Sequence, residues 1–136
     1  MTHTKLFNYI ASAIAAMIFI ATAMSCQKRN INGDLDGQWR IISIENLQDG
    51  TTTEPQGLFI CFNLHTVNLT NGPVIFAGNM VHDGNRIALE FPYNTDNVSL
   101  NEWGIYSWQT TFEITHLSGS DLTLRSDKAL ISLRKF

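Results

Sequence analysis

The sequence predicts an all-β domain: an antiparallel up-and-down meander of about eight strands, closed as a barrel or, alternatively, left as an open barrel or sandwich. Three observations predict it. Beyond Cys26 no stretch carries a convincing 3.6-residue apolar period, whereas alternation with a period of two recurs. Turn-forming pairs fall at short intervals between the alternating runs. Such runs bury one face and wet the other, as half-buried antiparallel sheet does.

The elements follow in order. A first strand is expected over 37–46, opened by Gly37-Gln38-Trp39. Strands over 57–64 and 66–71 flank His65; Val67 and Leu69 alternate with Thr66, Asn68 and Thr70. Asn71-Gly72-Pro73 breaks the chain before a strand over 74–81. Asp83-Gly84 reads as a type I′ hairpin turn, in which both central positions need positive φ. The strand over 85–91 places Ile87, Leu89 and Phe91 on one face. A long strand is expected over 103–116, with Tyr106, Trp108, Phe112 and Ile114 on one parity. Ser118-Gly119-Ser120-Asp121 turns the chain into a strand over 121–126, and Ser126-Asp127-Lys128 into the last, over 129–135. Two longer loops remain, 48–56 and 92–101. Eight strands is a size at which closure removes both exposed edges.

The first 25 residues stand apart. Lys5 and the α-amino group precede an uncharged run from Tyr9 to Met24. That run is too short to cross a hydrocarbon core of ~30 Å comfortably and reads as the core of a signal peptide. Ala23-Met24-Ser25-Cys26 resembles the lipobox of bacterial lipoproteins, with Ala23 where that motif usually has Leu. The resemblance implies cleavage before Cys26 and lipid attachment to its thiol, leaving 111 of the 136 residues. Ala21-Thr22-Ala23 is itself a cleavage signal that would instead release a soluble chain. Multiple acyl chains, at about 0.8 kcal/mol per buried CH₂, anchor firmly. Residues 26–36 then read as a polar tether whose Lys28 and Arg29 can meet anionic headgroups. The expected domains are therefore 1–25 signal peptide, 26–36 lipidated tether and 37–136 β domain. No run of acids follows Cys26 directly, and in relatives such a run marks export to the cell surface. The expected address is the periplasmic side of the cell envelope.

Composition excludes several functions. Nine basic and twelve acidic residues make the chain mildly acidic. Only Lys5 precedes Cys26, so the mature net charge is −4. Nucleic acid needs a basic face, and the cations here are scattered. With Cys26 lipidated, Cys61 has no disulfide partner; in the apolar run Leu58 to Phe62 it reads as a small buried hydrophobe.

Gly37-Gln38-Trp39 is similar to the G-x-W signature of lipocalins. The C-terminal run Phe112-Glu113-Ile114, Leu117, Leu122-Thr123-Leu124 and Ile131 to Lys135 resembles small lipocalin-like lipoproteins of Bacteroidetes. The resemblance implies an up-and-down barrel in which Trp39 plugs the closed end and Arg134, from the last strand, packs over its ring. The chain is shorter than full-length lipocalins and lacks their C-terminal helix, so bulky residues can fill the interior.

Trp103, Tyr106, Trp108 and Phe112 form the most informative cluster. Three aromatics on one parity of one strand either line a cavity or are core. The candidates to enclose a ligand are Phe59, Leu89, Tyr106, Trp108, Phe112 and Leu124. Catalytic chemistry has little to stand on. His65, His82 and His116 fall in separate strand–turn junctions without metal-ligand spacing. Glu90 and Glu113 lie on the polar parity, as solvated glutamates do, and no nucleophile elbow, phosphate loop or zinc motif is present. No metal and no cofactor is expected. The expected function is a membrane-anchored, non-catalytic module binding a small apolar ligand or a protein; the alternative is an accessory lipoprotein with a filled core.

Overall fold

In the computed structural model, residues 31–72, 75–93 and 97–136 are described. The signal segment, Cys26 and tether residues 26–30 lie outside the described residues. Asn32–Phe136 form one compact unit. A 3-10 turn, Gly33–Leu35, leads into β1 (Gly37–Asn46). Then come β2 (Thr52–Thr53), β3 (Phe59–Asn63), β4 (Thr66–Thr70), β5 (Ile75–Asp83) and β6 (Arg86–Glu90). A short helix α1 (Asn97–Leu100) and a 3-10 turn (Asn101–Trp103) precede β7 (Gln109–Leu117), β8 (Asp121–Arg125) and β9 (Ala129–Lys135).

Every strand from β3 to β8 pairs antiparallel with its successor, and β1 pairs with both β3 and β9. Eight strands therefore close into a barrel, and the sandwich is not formed. The short β2 is an addition. It pairs with Ile44 and Glu45 of β1, beyond the Gly37–Arg40 stretch that β3 covers.

Alternation fills the interior. Ile60 and Phe62, Val67 and Leu69, Ile87 and Leu89, Leu122 and Leu124, and Ile131 and Leu133 are all buried. A bulge between Ile41 and Ser43 lets β1 bury Trp39, Ile41 and then Ile44, although their spacing is not strictly even. These side chains form one core with Phe91, Phe112 and Met80.

The end of the barrel beside the first residues is shut by Trp39. Its indole Nε1 donates to the Leu35 carbonyl at 2.8 Å, and Leu35 is itself fully buried. Asn32, also buried, donates to Asp36 (2.7 Å) and to the Leu64 carbonyl (2.8 Å), and the His82 ring lies 3.3 Å from its Oδ1. Residues 32–36 are thus part of the fold and not of the tether expected over 26–36. Their polar sequence concealed this because the hydrogen bonds that hold them run to residues far along the chain.

The cation over Trp39 is Lys135 and not Arg134. Lys135 Nζ sits 4.5 Å from the ring centroid and donates to the carbonyls of Asp34 (2.8 Å) and Asp36 (2.7 Å). Register explains it. Trp39 stands directly opposite Lys135, while Arg134, opposite Arg40, faces outward. Arg134 Nε lies 3.8 Å from Asp121 with both side chains half exposed or more, an arrangement that contributes little.

The expected strand over 103–116 is shorter at its start. Residues 97–103 are helical turns, and strand begins only at Gln109. Gly104 ends the second turn with φ +78°, and a Cβ there would sit 2.9 Å from Ile131 Cδ1 and 3.2 Å from Ile44 Cγ2. Only glycine meets both conditions. The hairpin after β5 is also displaced by one residue. Asp83 pairs with Arg86, so Gly84 and Asn85 are central, and of the two only Gly84 has positive φ (+61°). That is the type II′ pattern rather than type I′.

Replacing Lys135 by Ala removes two hydrogen bonds and the ring contact. The expected loss is about 1–3 kcal/mol of unfolding free energy. Arg134→Ala is expected to stay within about 0.5 kcal/mol. Urea unfolding of the two variants side by side checks the assignment, and equal losses would refute it.

Candidate functional site

The opposite end carries the long loops and is closed differently. Leu100, Trp103 and Ile105 descend from α1 and the turn after it, and all three are buried with Phe91. Leu100 and Trp103, three residues apart, share one face of the turn, and Gly104 stops it. The Trp103 ring meets Phe76 edge to face, with centroids 5.6 Å apart and planes at 81°. Trp103 Nε1 is buried and has no hydrogen-bond acceptor among the described residues. A donor left so costs about 1–3 kcal/mol, which makes this plug less favourable than the one at Trp39.

A groove of about 570 Å³ opens above the plug. Pro55 to Leu58 form one wall, Asn71 and Gly72 a second, and Glu102 stands at the third side. Leu58 is nearly buried and supplies an apolar base. At the same end, the Thr51 hydroxyl and amide donate to Asp49 Oδ1 (2.7 and 2.9 Å), and these bonds hold the Asp49 carboxyl below its ordinary range. The carboxylate thereby fixes the loop beside β2.

The candidates inferred from sequence separate into three groups. Leu89, Phe112 and Leu124 are core residues packed against Val67, Leu69 and Ile87, and none lines the groove. Phe59 faces outward and meets Phe136 edge to face, with centroids 5.1 Å apart. Parity is the reason: Ile60 and Phe62 take the inward positions of β3. Tyr106 and Trp108 precede β7 and do not share a strand with Phe112. Tyr106 is half buried in a separate groove of about 310 Å³, and Trp108 is 41% exposed.

Cys61, between Ile60 and Phe62, is half buried on the outer face rather than in the core. Burial, and then the Asp36 carboxylate, push its thiol up. Among the described residues no three His, Cys, Asp or Glu side chains gather to hold a metal ion. His82 braces Asn32 and lies 2.8 Å from the Gly84 carbonyl. The groove residues Leu58, Asn71, Gly72 and Glu102 are not among the ligand-lining candidates expected from the sequence. The signal available was Leu100 and Trp103 at helical spacing before Gly104.

A closed eight-stranded barrel, plugged by a tryptophan that opens β1 and bearing its loops at the far end, has counterparts. The lipocalin-like domain family matches residues 18–136. The chain belongs to that family. The fold is similar to a lipocalin-like protein from Bacteroides uniformis ATCC 8492, with TM-score 0.66 and 25% identity over 76% of this chain and all of that one. It is also similar to an uncharacterized protein from Bacteroides eggerthii DSM 20697, with TM-score 0.62 and 15% identity over 74% of this chain and 98% of that one. None of the curated proteins compared matches the chain. A lipocalin-like barrel is typically a binding fold rather than a catalytic one.

The unpartnered indole yields a test of the plug. Trp103→Phe keeps the ring contact with Phe76 and deletes the orphaned donor, so thermal stability is expected to hold or rise. Trp103→Ala empties the plug and is expected to cost about 3–5 kcal/mol. Thermal melts of both variants decide; a large loss in Trp103→Phe would mean that the indole N–H has an acceptor.

Proposed function

We propose that this chain is a lipid-anchored, non-catalytic binding module whose mouth groove holds a small ligand with an apolar body. The observation that carries the proposal is the separation of the two ends. Asn32 is fastened at the Trp39 end, and the groove lies at the other. Six residue steps separate Asn32 from Cys26, at most about 20 Å of extended chain. A lipid on Cys26 therefore keeps the plugged end near the bilayer and turns the groove away from it. The periplasmic side of the envelope is the proposed address, because the tether has no acidic residue before Asp34.

Ligand binding at the mouth, and not deep in the barrel, follows from the packed interior. Leu58 offers apolar surface and Glu102 a single charge, which suits a small molecule with one polar group. A second reading, an accessory lipoprotein that binds nothing and acts through its loops, is favoured by the same filled core.

Two measurements test these statements. In cells fed a fatty-acid probe the mature protein is expected to take up label, and Cys26→Ser is expected to lose it; an unlabelled, freely soluble wild type overturns the anchor. Native mass spectrometry of the chain purified in detergent from its own host is expected to show a co-purifying small molecule. Gln56→Trp, which fills the groove from an exposed position, is expected to lose that molecule without a change in melting temperature. An empty wild type would leave the accessory reading in place.

A further inference from the structure

The barrel wall is incomplete between β7 and β8. The uppermost pair across that seam is Glu113 with Arg125. No β8 residue stands opposite Gln109, Thr110, Thr111 or Phe112, although all four pair with β6 on the other side. Antiparallel strands point their backbone groups alternately to either edge. The Phe91 amide donates to the Trp108 carbonyl at 2.8 Å, and the Ile114 amide to the Asn85 carbonyl at 2.6 Å. Even-numbered residues of this stretch therefore serve β6, and Gln109 and Thr111 aim their backbone groups at the open seam. The Gln109 amide is met locally by the Ser107 hydroxyl at 3.4 Å. Among the described residues the Thr111 amide and carbonyl have no partner on that edge.

The seam is a groove and not a flat edge. About 310 Å³ lies between Tyr106, Gln109 and Thr111 on one bank and Ser126, Asp127 and Lys128 on the other. It shares no residue with the mouth groove. At its lower end a second hollow, of about 240 Å³, adds Arg86 and Arg125 on either side of Glu113. Neither guanidinium lies within 4.0 Å of a carboxylate; the ion pair formed among the described residues is Arg134 with Asp121. The rim thus holds three cations, Arg86, Arg125 and Lys128, against two acids, Glu113 and Asp127. That local excess of positive charge belongs to a chain whose net charge is −3.

We propose that this seam binds an extended acidic peptide segment of a partner protein. The segment adds to the free edge of β7 and pairs with the backbone of Thr111. An unpaired strand edge in a recess is answered by another peptide backbone, because only a second strand supplies an acceptor and a donor at the matching spacing. The acidic character follows from Arg86, Arg125 and Lys128, whose fixed charges select among strands that the backbone alone would accept equally.

The test uses the full chain in nonionic detergent and an acetylated, amidated octapeptide alternating Glu and Val. Backbone amide resonances are followed by NMR. The expected result is saturable binding that slows hydrogen exchange at the Thr111 amide. Affinity is expected to fall about tenfold or more when alternate peptide amides are methylated, and similarly in Arg125→Glu. Thr111→Pro removes the edge donor and leaves the β6 ladder intact, and it is expected to abolish saturable binding as read from the shifts of neighbouring amide resonances. The methylated peptide keeps the test valid should that variant fold poorly. No binding at about 1 mM, binding indifferent to methylation, or tighter binding of a Lys-Val octapeptide would each overturn the proposal. So would concentration-dependent protection of Thr111 without peptide, because a second copy of the chain would then occupy the edge.

Discussion

Lys135 ties the two ends of the polypeptide together. Its ammonium lies over the Trp39 ring and donates to the carbonyls of Asp34 and Asp36, about a hundred residues away in sequence. These contacts sit where β9 meets β1, the pairing that turns a meander into a closed wall. Loop-closure entropy opposes a contact of such separation. The compensation is concentrated at one end: a buried indole with its N–H satisfied, a buried Leu35, and a lysine that supplies donors to carbonyls no strand pairs. The same contacts hold residues 34–36 against the barrel end, so closure of the fold and the seating of its first described residues depend on one lysine.

The opposite end is built to a different standard. There a tryptophan is also buried, but its N–H has no acceptor among the described residues, and the segment carrying it crosses the barrel as short helical turns. A fully satisfied plug and an unsatisfied one in the same small barrel separate rigid from adaptable parts. Local stability within a fold is uneven, and binding regions are drawn from its weaker end. The groove beside Glu102 and the seam beside Thr111 both lie at that end, far from Lys135.

How much of this is legible in the sequence depends on the range of the interaction. The bounds of β1 and β9 follow directly from alternation, since Trp39, Ile41, Ile131 and Leu133 carry the period. The lipocalin-like barrel follows from those strands and from Gly37-Gln38-Trp39. Local rules stop where tertiary contact decides. The polar residues 32–36 look like linker and become a plug support only when Leu64, His82 and Lys135 arrive. Arg134 and Lys135 are equivalent as sequence, and only the register opposite Trp39 separates them. Trp103 and Phe112 look like members of one strand, yet a single left-handed glycine between them ends that strand before it starts. Within β7 the expected parity is the inward one, with Phe112 buried and Ile114 packed against the core, but Trp108 lies before the strand and is exposed.

A packed interior changes what such a barrel is for. Trp39, Phe62, Phe91, Trp103 and Phe112 occupy the space that a wider barrel would leave for a ligand. With the centre committed to stability, the binding proposed above uses places where strand pairing ends. Closure removes edges wherever two strands are equally long, so a mismatch in length is what leaves one behind. β7 runs from Gln109 to Leu117, and β8 stops at Arg125 opposite Glu113. The open seam therefore originates in β8, which turns into β9 through residues 126–128, closed by the Ser126 amide on the Ala129 carbonyl, before it can cover Gln109 to Phe112.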